Sequence, residues 1–493
     1  MERQYSNFAN INFAIIFRIL GWLLMIEAIF MSAALVASIL CHEDALHGIA
    51  LSVIITAVAG GATTFGIRPR RNEMGKREAI MLTSLVWVVF SVFGMLPFIF
   101  CNPHLNILDA YFEAVSGFTT TGATMIMDVD IAPKGILIWR AIMQWLGGMG
   151  IILFTLAVLP MLNHQGGIQL FNAEVSGITH DKLRPRISQT AKSLWLVYII
   201  LTVTEFGLLI FSPMDCIDAI CQTLSTVATG GFCTKNAGIS AWNSKYVEIV
   251  ILIFMFLGGI NFQLLYRAGS GNFRALFHND TFRWYCIITA GSFVLITISL
   301  LIGNIYDSVY EYCVYPLFQI VAGMTSTGFI LADFEQWGPF TLIMFMVLMV
   351  FGACAGSTTS GAKIDRLIML IKNTRNEFYR IIHPNTVTAV RVNGKYVAPD
   401  IVSKIIAFLA IYMMILVVCS IILSLCGYDF AESVFASISC LSNIGYGVGV
   451  TGIHGSFFYV MDVGKITLIF AMIAGRLELF TFLVIFTKYF WTK

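Results

Sequence analysis

Long apolar runs separated by short polar segments dominate the pattern of hydrophobic and polar positions in this chain. The runs that we interpret as membrane spans are 11–40, 48–67, 79–101, 135–162, 193–212, 244–266, 284–303, 338–372, 400–427 and 462–490. A helix needs about 20 apolar residues to cross the hydrocarbon core of a bilayer, and these runs reach that length. The pattern therefore predicts an all-α polytopic membrane protein.

Four shorter segments, each about a dozen residues long, alternate with the later spans. They cover 107–119, 215–227, 313–324 and 430–441. This length is about half of what a span requires, so each segment is predicted to enter the membrane and return to the same face. Each leads into a stretch rich in Thr, Ser, Asn or Gly. Irregular backbone at membrane depth survives only where it is buried in protein or lines a water-filled path.

The short segments are imperfect copies of one another when they are aligned on one glycine. The aligned glycines are Gly122, Gly231, Gly328 and Gly445, about a hundred residues apart. A single copy is explained as well by a membrane-embedded turn or by a helix-packing glycine. Four copies in register favour internal repetition. The sequence therefore predicts four pseudo-symmetric span–pore helix–span repeats around one pore, preceded by two extra N-terminal transmembrane helices.

The residue types of the four copies suit a dehydrated cation. A short helix that enters from outside directs its carboxyl end, with partial negative charge, toward the membrane centre. Asp109, Asp218 and Glu432 lie near the opposite end of three copies, where they stabilise the helix start, and Tyr315 occupies this place in the third copy. Glycine permits the backbone angles that expose carbonyl oxygens, and hydroxyl groups add further ligands. These features predict a selectivity filter of backbone oxygens.

The repeats define the predicted domains and the predicted filter. The domains are a two-span N-terminal domain (1–75), pore repeat 1 (76–163), pore repeat 2 (164–267), pore repeat 3 (268–375), and a cytoplasmic linker with pore repeat 4 (376–493). The filter residues expected to bind the cation through their backbone carbonyls are Thr120, Thr121, Gly122, Thr229, Gly230, Gly231, Ser326, Thr327, Gly328, Asn443, Ile444 and Gly445.

Composition agrees with the membrane assignment. The 493 residues are 58% hydrophobic and 12% charged, with a mean hydropathy of +0.82, whereas soluble proteins carry about 25% charged residues. The net charge is only +2, but basic residues concentrate in alternate connections. By the positive-inside bias, the basic linkers and both termini are cytoplasmic. The first apolar run is too long for the core of a signal peptide, so no cleavable leader is expected.

Other function classes find little support in the sequence. Most of the eight His residues lie outside the spans, and the eleven Cys residues include no C-x-x-C pair, which argues against a haem-bearing redox subunit. A nucleophile–base pair and a phosphate-binding loop are not recognisable, so we expect neither an enzyme nor an organic cofactor. A nucleic-acid partner is not expected either.

Polar residues interrupt the apolar span 338–372. Three glycines among Thr and Ser residues at 352–361 break helix regularity at membrane depth. A tight helix-packing patch explains this stretch, and so does a functional loop.

Three of the charged residues within the predicted spans are considered individually. Arg476 must face a cavity or a partner, and a structural salt bridge with Glu478 or Glu113 is one interpretation. Arg140 is interpreted as an interfacial side chain that extends toward the headgroups. Glu205 has no interpretation from the sequence.

With these motifs the chain resembles a known family over nearly its whole length. The motifs besides the filters are Gln144-Trp-Leu-Gly-Gly-Met-Gly-Ile-Ile, Arg184-Pro-Arg-Ile, Gly258-Gly-Ile-Asn, His383-Pro-Asn and Gly475-Arg-Leu-Glu-Leu-Phe-Thr. They are similar to the TrkH/KtrB branch of the Trk/Ktr/HKT potassium-uptake family, and the two extra N-terminal spans are typical of its TrkH-like members. The resemblance implies a homodimer with one pore in each subunit. It also implies a cytoplasmic nucleotide-binding regulatory ring of TrkA or KtrA type, which must be a partner because this chain has no Rossmann fingerprint.

The resemblance also implies a gate. It identifies 352–361 as the family's intramembrane gating loop beneath the filter and places Arg476 in the pore beside it. The gate residues are then Gly352, Gly356, Ser357, Thr358, Thr359, Ser360, Gly361 and Arg476. Ala353, Thr359 and Ser360 stand where the family often has Gly, so a stiffer loop is expected.

The function implied is potassium uptake. In the plant relatives, Ser at the first filter glycine accompanies sodium transport, so Gly122 favours K⁺. We expect K⁺ to be bound and transported through a gated, channel-like pore across the bacterial inner membrane, with the chain as the transmembrane subunit of a Trk-type system. A Na⁺- or H⁺-coupled K⁺ carrier with the same fold is the alternative, and a membrane redox subunit is a weaker one.

Overall fold

Helices make up most of the described structure. The computed structural model describes residues 11–69, 74–148, 150, 187–386, 388–453 and 455–492. Within these residues, six helices are long and apolar enough to cross a membrane, or up to eight if each of two bent pairs is counted as one span. The prediction of an all-α polytopic membrane protein is confirmed. The second half of the predicted span 135–162 and the basic linker that follows lie outside the described residues.

The two N-terminal helices form a closely packed pair. They are Phe13–Leu40 and Leu46–Gly66. A side chain on Gly21 would overlap Thr63 and Thr64, and its Cβ would lie 2.8 Å from the carbonyl oxygen of Gly60. Small residues at such a crossing allow the two backbones to approach, which favours packing in a lipid environment.

The remainder of the chain repeats one order of helices four times. The leading helices are Lys76–Gly94, Ile187–Leu209, Asp280–Gly303 and Pro399–Leu425. The short helices are Ile107–Phe118, Cys216–Val227, Val309–Met324 and Phe430–Leu441. The trailing helices are Lys134–Gly148, Lys245–Gly258, Pro339–Phe351 and Asp462–Arg476. We refer to these helices below by their repeat number.

Smaller elements connect these helices. The α-helical ones are Leu96–Phe100, Phe262–Gly269, Phe273–Phe277, Ile364–Ile382, Phe480–Leu483 and Lys488–Trp491. The 3-10 helices are Gly238–Trp242, Phe334–Trp337, Gly449–Thr451, Phe457–Tyr459 and Val484–Phe486. An antiparallel hairpin pairs Arg391–Val392 with Lys395–Tyr396.

The chain bends sharply after two of the trailing helices. The sequence predicts spans over 244–266 and 462–490, and in the structure each of these stretches is a bent pair of helices. The chain bends by 106° after Lys245–Gly258 and by 111° after Asp462–Arg476. At the first bend, the side chain of Asn261 accepts hydrogen bonds from the backbone of the following turn and starts a new helix. Hydropathy misses such bends because the residues on both sides remain apolar.

Polar side chains fix the outer ends of three short helices. Asn106 accepts a 2.8 Å hydrogen bond from the Asp109 backbone N–H. Capping boxes start the third and fourth short helices, at Ser308 with Glu311 and at Asp429 with Glu432. Each cap satisfies backbone N–H groups that lack a partner within the first turn.

Candidate functional site

The four short helices end in the same backbone structure. We call residues 119–122, 228–231, 325–328 and 442–445 the ring segments, and their last residue is the ring glycine. In every copy the residue before the ring glycine donates a backbone hydrogen bond to the carbonyl five residues earlier. These bonds are Thr121 to Ser116 (2.8 Å), Gly230 to Ser225 (2.8 Å), Thr327 to Ala322 (3.0 Å) and Ile444 to Ser439 (2.8 Å).

The backbone angles repeat as well. Two residues before each ring glycine stands a residue with positive φ, at 54° for Thr120, 53° for Thr229, 50° for Ser326 and 55° for Asn443. The ring glycines have φ values of 84°, 85°, 75° and 95° in chain order. Left-handed conformations at non-glycine residues are uncommon and cost free energy. The same conformation at four equivalent places therefore reflects one backbone design that is repeated four times.

The ring glycines form a closed circle. A side chain on Gly122 would press on Gly230 and Gly231, and one on Gly231 would overlap the carbonyl of Thr327. The circle continues from Gly328 to the carbonyl of Ile444 and closes from Gly445 to the carbonyl of Thr121. Each repeat thus touches the next, and the fourth touches the first. The twelve predicted filter residues all lie in these four adjoining segments.

One cavity lies above the circle. It has a volume of about 320 Å³, and all four ring glycines line it. Most of the remaining lining comes from the segments that follow the ring, including Phe232, Tyr446 and Phe457, and Arg140 of the first trailing helix also lines it. The four segments therefore share a single vestibule instead of four separate clefts.

Hydroxyl groups support the ring segments from behind. In repeats 1 and 3 a pair of threonines does this, because Thr119 and Thr121 are joined at 2.8 Å and Thr325 and Thr327 at 2.7 Å. In repeat 4, Ser442 is joined to the hydroxyl of Tyr412 at 2.7 Å. These buried contacts hold the segments of repeats 1, 3 and 4 in their unusual conformation.

A second set of contacts joins the short helices to the chain beyond the ring. Glu113 accepts the backbone N–H of Met125 at 2.6 Å, and Gln319 accepts that of Leu331 at 3.0 Å. Both acceptors lie nine residues before the ring glycine, and both donors lie three residues after it. The sequence analysis missed this pair of positions. The signal available was an acid or amide nine residues before the glycine in three of four repeats, with Gln222 as the third.

The interpretation of Arg140 as an interfacial residue is wrong. Its side chain is only 2% exposed, and its Nε donates to Glu113 at 2.7 Å. It also donates to Thr124 Oγ1 at 3.0 Å and to the carbonyl of Cys233 at 3.2 Å. Because Cys233 belongs to repeat 2, this buried pair joins two repeats at the vestibule. Removing one partner of such a pair leaves an uncompensated buried charge.

A loop at residues 352–363, which we call the central loop, lies against the ring. It connects the third trailing helix to Ile364–Ile382. The backbone N–H of Ser360 donates to Ser326 Oγ at 2.9 Å, and the hydroxyls of Thr229 and Thr358 are 3.2 Å apart. The loop therefore contacts the ring segments of repeats 2 and 3. Both contacts are made to residues that lie between the end of a short helix and its ring glycine.

Left-handed backbone gives the central loop its shape. Gly352, Gly356, Gly361 and Lys363 have φ values of 62°, 78°, 84° and 60°. Asn261, at the bend of the second trailing helix, donates to the carbonyl of Ala355 at 2.7 Å. Asp365 accepts the backbone N–H of Ala355 at 2.7 Å. Sequence reasoning missed both anchors, since their partners lie far away in the chain or within the loop itself.

Arg476 binds the central loop. Its guanidinium donates to the carbonyl of Thr358 and to Ser360 Oγ, each at 3.0 Å, and to the carbonyl of Gly147 at 2.7 Å. Of the two carboxylates considered from sequence, Glu113 pairs with Arg140 instead. The structure thus brings all the predicted gate residues together in one place. A gap of about 40 Å³ separates the loop from its surroundings on this side, and Arg476 lines it.

Two other acidic residues that were considered from the sequence are Glu478 and Glu205. Glu478 accepts from Lys363 at 3.1 Å and from Arg366, which forms a charged cluster below the central loop. Glu205 is fully buried in the second leading helix, and within the described part of the chain neither of its carboxylate oxygens has a hydrogen-bond partner. The structure provides no account of Glu205.

Together, the fold and this site define a polytopic membrane protein in which four short helices of one chain and the segments that follow them surround a single axis, with a loop against these segments. The model of the TrkH family, described as a cation transport protein, matches residues 45–492. The chain belongs to this family.

Known proteins are similar over nearly the full length of the chain. The Trk system potassium uptake protein TrkH of Salmonella typhimurium is 34% identical over 485 residues, which cover 98% of this chain and 100% of that protein. TrkG of Escherichia coli, another Trk system potassium uptake protein, is 30% identical over 96% of this chain and 97% of its own. The crystal structure of the potassium transporter TrkH from Vibrio parahaemolyticus aligns with a TM-score of 0.88 at 31% identity, covering 98% of this chain and 100% of that one.

Proposed function

We propose that this protein takes up K⁺ through a gated, channel-like pore, and that it is the membrane subunit of a Trk-type uptake system. The observation that carries the proposal is the closed circle of ring glycines. The names of the relatives, which are potassium uptake proteins, support the choice of ion.

The filter works by replacing the hydration shell of the ion with oxygen atoms of the protein. An ion that leaves the vestibule exchanges water for the backbone oxygens of the ring segments, and Thr120–Gly122 and its three equivalents supply them. The carboxyl ends of the short helices add partial negative charge at the same level. Contacts between neighbouring segments and the threonine pairs behind them keep the oxygens in place, so that the ring does not collapse around a smaller ion.

The central loop and Arg476 form the gate. The loop presses against the inner end of the ring, and the gap beside it is about 40 Å³. Residues 357–361 of the loop line this gap together with Arg476. The positive charge of Arg476 at this constriction adds electrostatic repulsion. Conduction therefore requires the loop and Arg476 to separate.

A channel-like pore explains the architecture better than a carrier does. Carriers with alternating access are commonly built from two halves that move against each other around a central site. Here four equivalent hairpins surround one axis, and buried polar contacts join repeat 1 to repeat 2. Coupling to Na⁺ or H⁺ is the second candidate, and flux that depends on either gradient would favour it.

The assembly follows from the family resemblance and the charge pattern. The protein forms a homodimer in the bacterial inner membrane, and its termini and basic linkers face the cytoplasm. A nucleotide-binding ring of TrkA or KtrA type binds this cytoplasmic face and moves the central loop.

Uptake of ⁸⁶Rb⁺ into liposomes that contain the pure protein tests the proposal. We expect Rb⁺ to accumulate down its electrochemical gradient without any Na⁺ or H⁺ gradient, and external K⁺ to compete far better than Na⁺. Equal competition by the two ions would contradict the filter, and a strict requirement for a second gradient would replace the channel with a carrier.

A further inference from the structure

The ring segment of repeat 2 lacks the support that the other segments have. Repeats 1 and 3 use a threonine pair, and repeat 4 uses Ser442 with Tyr412. The positions equivalent to the threonine pair are Ala228 and Gly230 in repeat 2, and neither has a hydroxyl group. A polar group from elsewhere must therefore hold this segment.

Gln144 provides that group. It belongs to the first trailing helix, its side chain is fully buried, and it makes three hydrogen bonds to repeat 2. Its Nε2 donates to the carbonyl of Gly230 at 2.6 Å. Its Oε1 accepts from Ser225 Oγ at 2.7 Å and from the backbone N–H of Phe232 at 3.2 Å.

The partners leave the amide only one orientation. The backbone N–H of Phe232 can only donate, so it must face Oε1, and the carbonyl of Gly230 can only accept, so it must face Nε2. A flipped amide would lose both bonds. The hydroxyl of Ser225 adapts to this orientation and strengthens it.

The same amide explains why residue 230 is glycine. A Cβ on Gly230 would overlap the side chain of Gln144. The equivalent positions carry Thr121, Thr327 and Ile444, which have full side chains. In repeat 2 the space behind the segment is instead filled from the neighbouring repeat.

We propose that Gln144 is a specificity-determining positioning residue of the filter. This inference depends on the function proposed above, because it assigns the carbonyl of Gly230 to the ion pathway. The carbonyl adjoins Gly122 in the circle, so its position sets the width of the ring at the contact of repeats 1 and 2. The amide of Gln144 holds this oxygen at a fixed place, and loss of the bond lets the ring contract around the smaller Na⁺.

Substitution of Gln144 tests the proposal. Gln144→Leu removes all three hydrogen bonds, and Gln144→Glu replaces the donor toward Gly230 by an acceptor. The measurement is the ratio of the Na⁺ and K⁺ concentrations that halve ⁸⁶Rb⁺ uptake into liposomes. A buried hydrogen bond contributes about 1 kcal/mol, so we expect this ratio to fall about five- to tenfold in Gln144→Leu and further in Gln144→Glu.

A second variant and a control separate selectivity from folding. Ser225→Ala removes one of the three hydrogen bonds of Gln144 and leaves the two to Gly230 and Phe232, so the ratio falls less than in Gln144→Leu, and the effects of the two substitutions are not additive. Gln336→Leu, at an exposed glutamine on a 3-10 helix, leaves the ratio unchanged. If Gln144→Leu does not yield folded protein, Ser225→Ala decides the question.

Two results would overturn the inference. One is an unchanged ratio in folded Gln144→Leu protein that still transports Rb⁺, and the other is an unchanged ratio in Ser225→Ala. A wild-type protein without any preference for K⁺ over Na⁺ is a different failure, because it refutes the proposed function itself.

Discussion

Glycine is required in the circle for two separate reasons. The first is conformation, because φ values between 75° and 95° strain any residue with a side chain. The second is space, because a side chain on Gly328 would overlap the carbonyl of Ile444. Even alanine at a ring position therefore moves the neighbouring segment, and with it an oxygen of the pathway.

Gly122→Ser illustrates this at a single site. Its Cβ and hydroxyl press on Gly230 and Gly231, which displaces the carbonyl that adjoins them. We expect the preference for K⁺ over Na⁺ to fall several-fold, measured by competition against ⁸⁶Rb⁺ uptake. Gly291→Ser is the matched control, because a Cβ on Gly291 meets no atom within 4 Å. Equal selectivity of the two variants would remove Gly122 from the filter.

Sequence reasoning located the ring glycines but not the residues that support them. The glycines share one register, and a register is visible in a single chain. The support of repeat 2 comes from Gln144, whose partner Gly230 lies 86 residues away, and nothing local marks that contact. Arg140 was misplaced because hydropathy does not distinguish a charge at the lipid headgroups from one buried beside a carboxylate.

Among the elements, the central loop is held from several directions. Asn261 and Asp365 bind its first half, and Arg476 binds its second half. Hydroxyl and backbone groups make the polar contacts between the loop and the ring. Breaking these contacts costs less free energy than breaking a buried ion pair. The element is therefore anchored at its flanks and weakly bound at the ring.

Arg476→Gln tests the gate at this scale. The substitution removes the positive charge and the guanidinium group that joins the loop to the carbonyl of Gly147. Hydrogen bonds to a charged group contribute about 1.5–3 kcal/mol each, so we expect ⁸⁶Rb⁺ flux to rise at least about fivefold. Arg375→Gln, at an exposed site on Ile364–Ile382, serves as control. Lower flux in folded Arg476→Gln protein would mean that Arg476 supports the open pore.

Element boundaries show where apolar composition misleads. The short helices and leading helices lie close to their predicted places, because caps and polar linkers mark their ends. The bends in the second and fourth trailing helices were missed, since Gly258-Gly-Ile-Asn261 and 477–479 interrupt the backbone without interrupting the hydrophobic run. The central loop was visible only because it carries six polar or glycine residues in succession, at 356–361.

At the scale of the whole molecule, one ion pair joins the last repeat to the first. Lys465, on the fourth trailing helix, donates to Asp109, on the first short helix, at 2.6 Å, and both side chains are at most 5% exposed. The two residues are 356 positions apart. This contact closes the arrangement of four repeats near the amino-terminal ends of these two helices, as Gly445 and Thr121 close it within the ring.

Removal of one partner should therefore destabilise the entire arrangement. Lys465→Met leaves the Asp109 carboxylate buried without its charge partner, and such a loss costs about 3–5 kcal/mol. We expect a lower Tm in detergent, and substantial recovery in the double variant Asp109→Leu, Lys465→Met. Lys404→Met is the control, because the pair of Lys404 and Asp400 is exposed at 75% and 67%. A Tm equal to that of the wild type would show that the ion pair does not hold the repeats together.

The covalent continuity of the circle has an evolutionary consequence. In a channel assembled from four identical subunits, every substitution alters all four quadrants at once. Here one substitution changes one ring segment and leaves the other three intact. Ion discrimination can therefore change in smaller steps than in a symmetric tetramer. Ile444 and Gly230 stand where repeats 1 and 3 carry threonine, so the four segments of this chain already differ from one another.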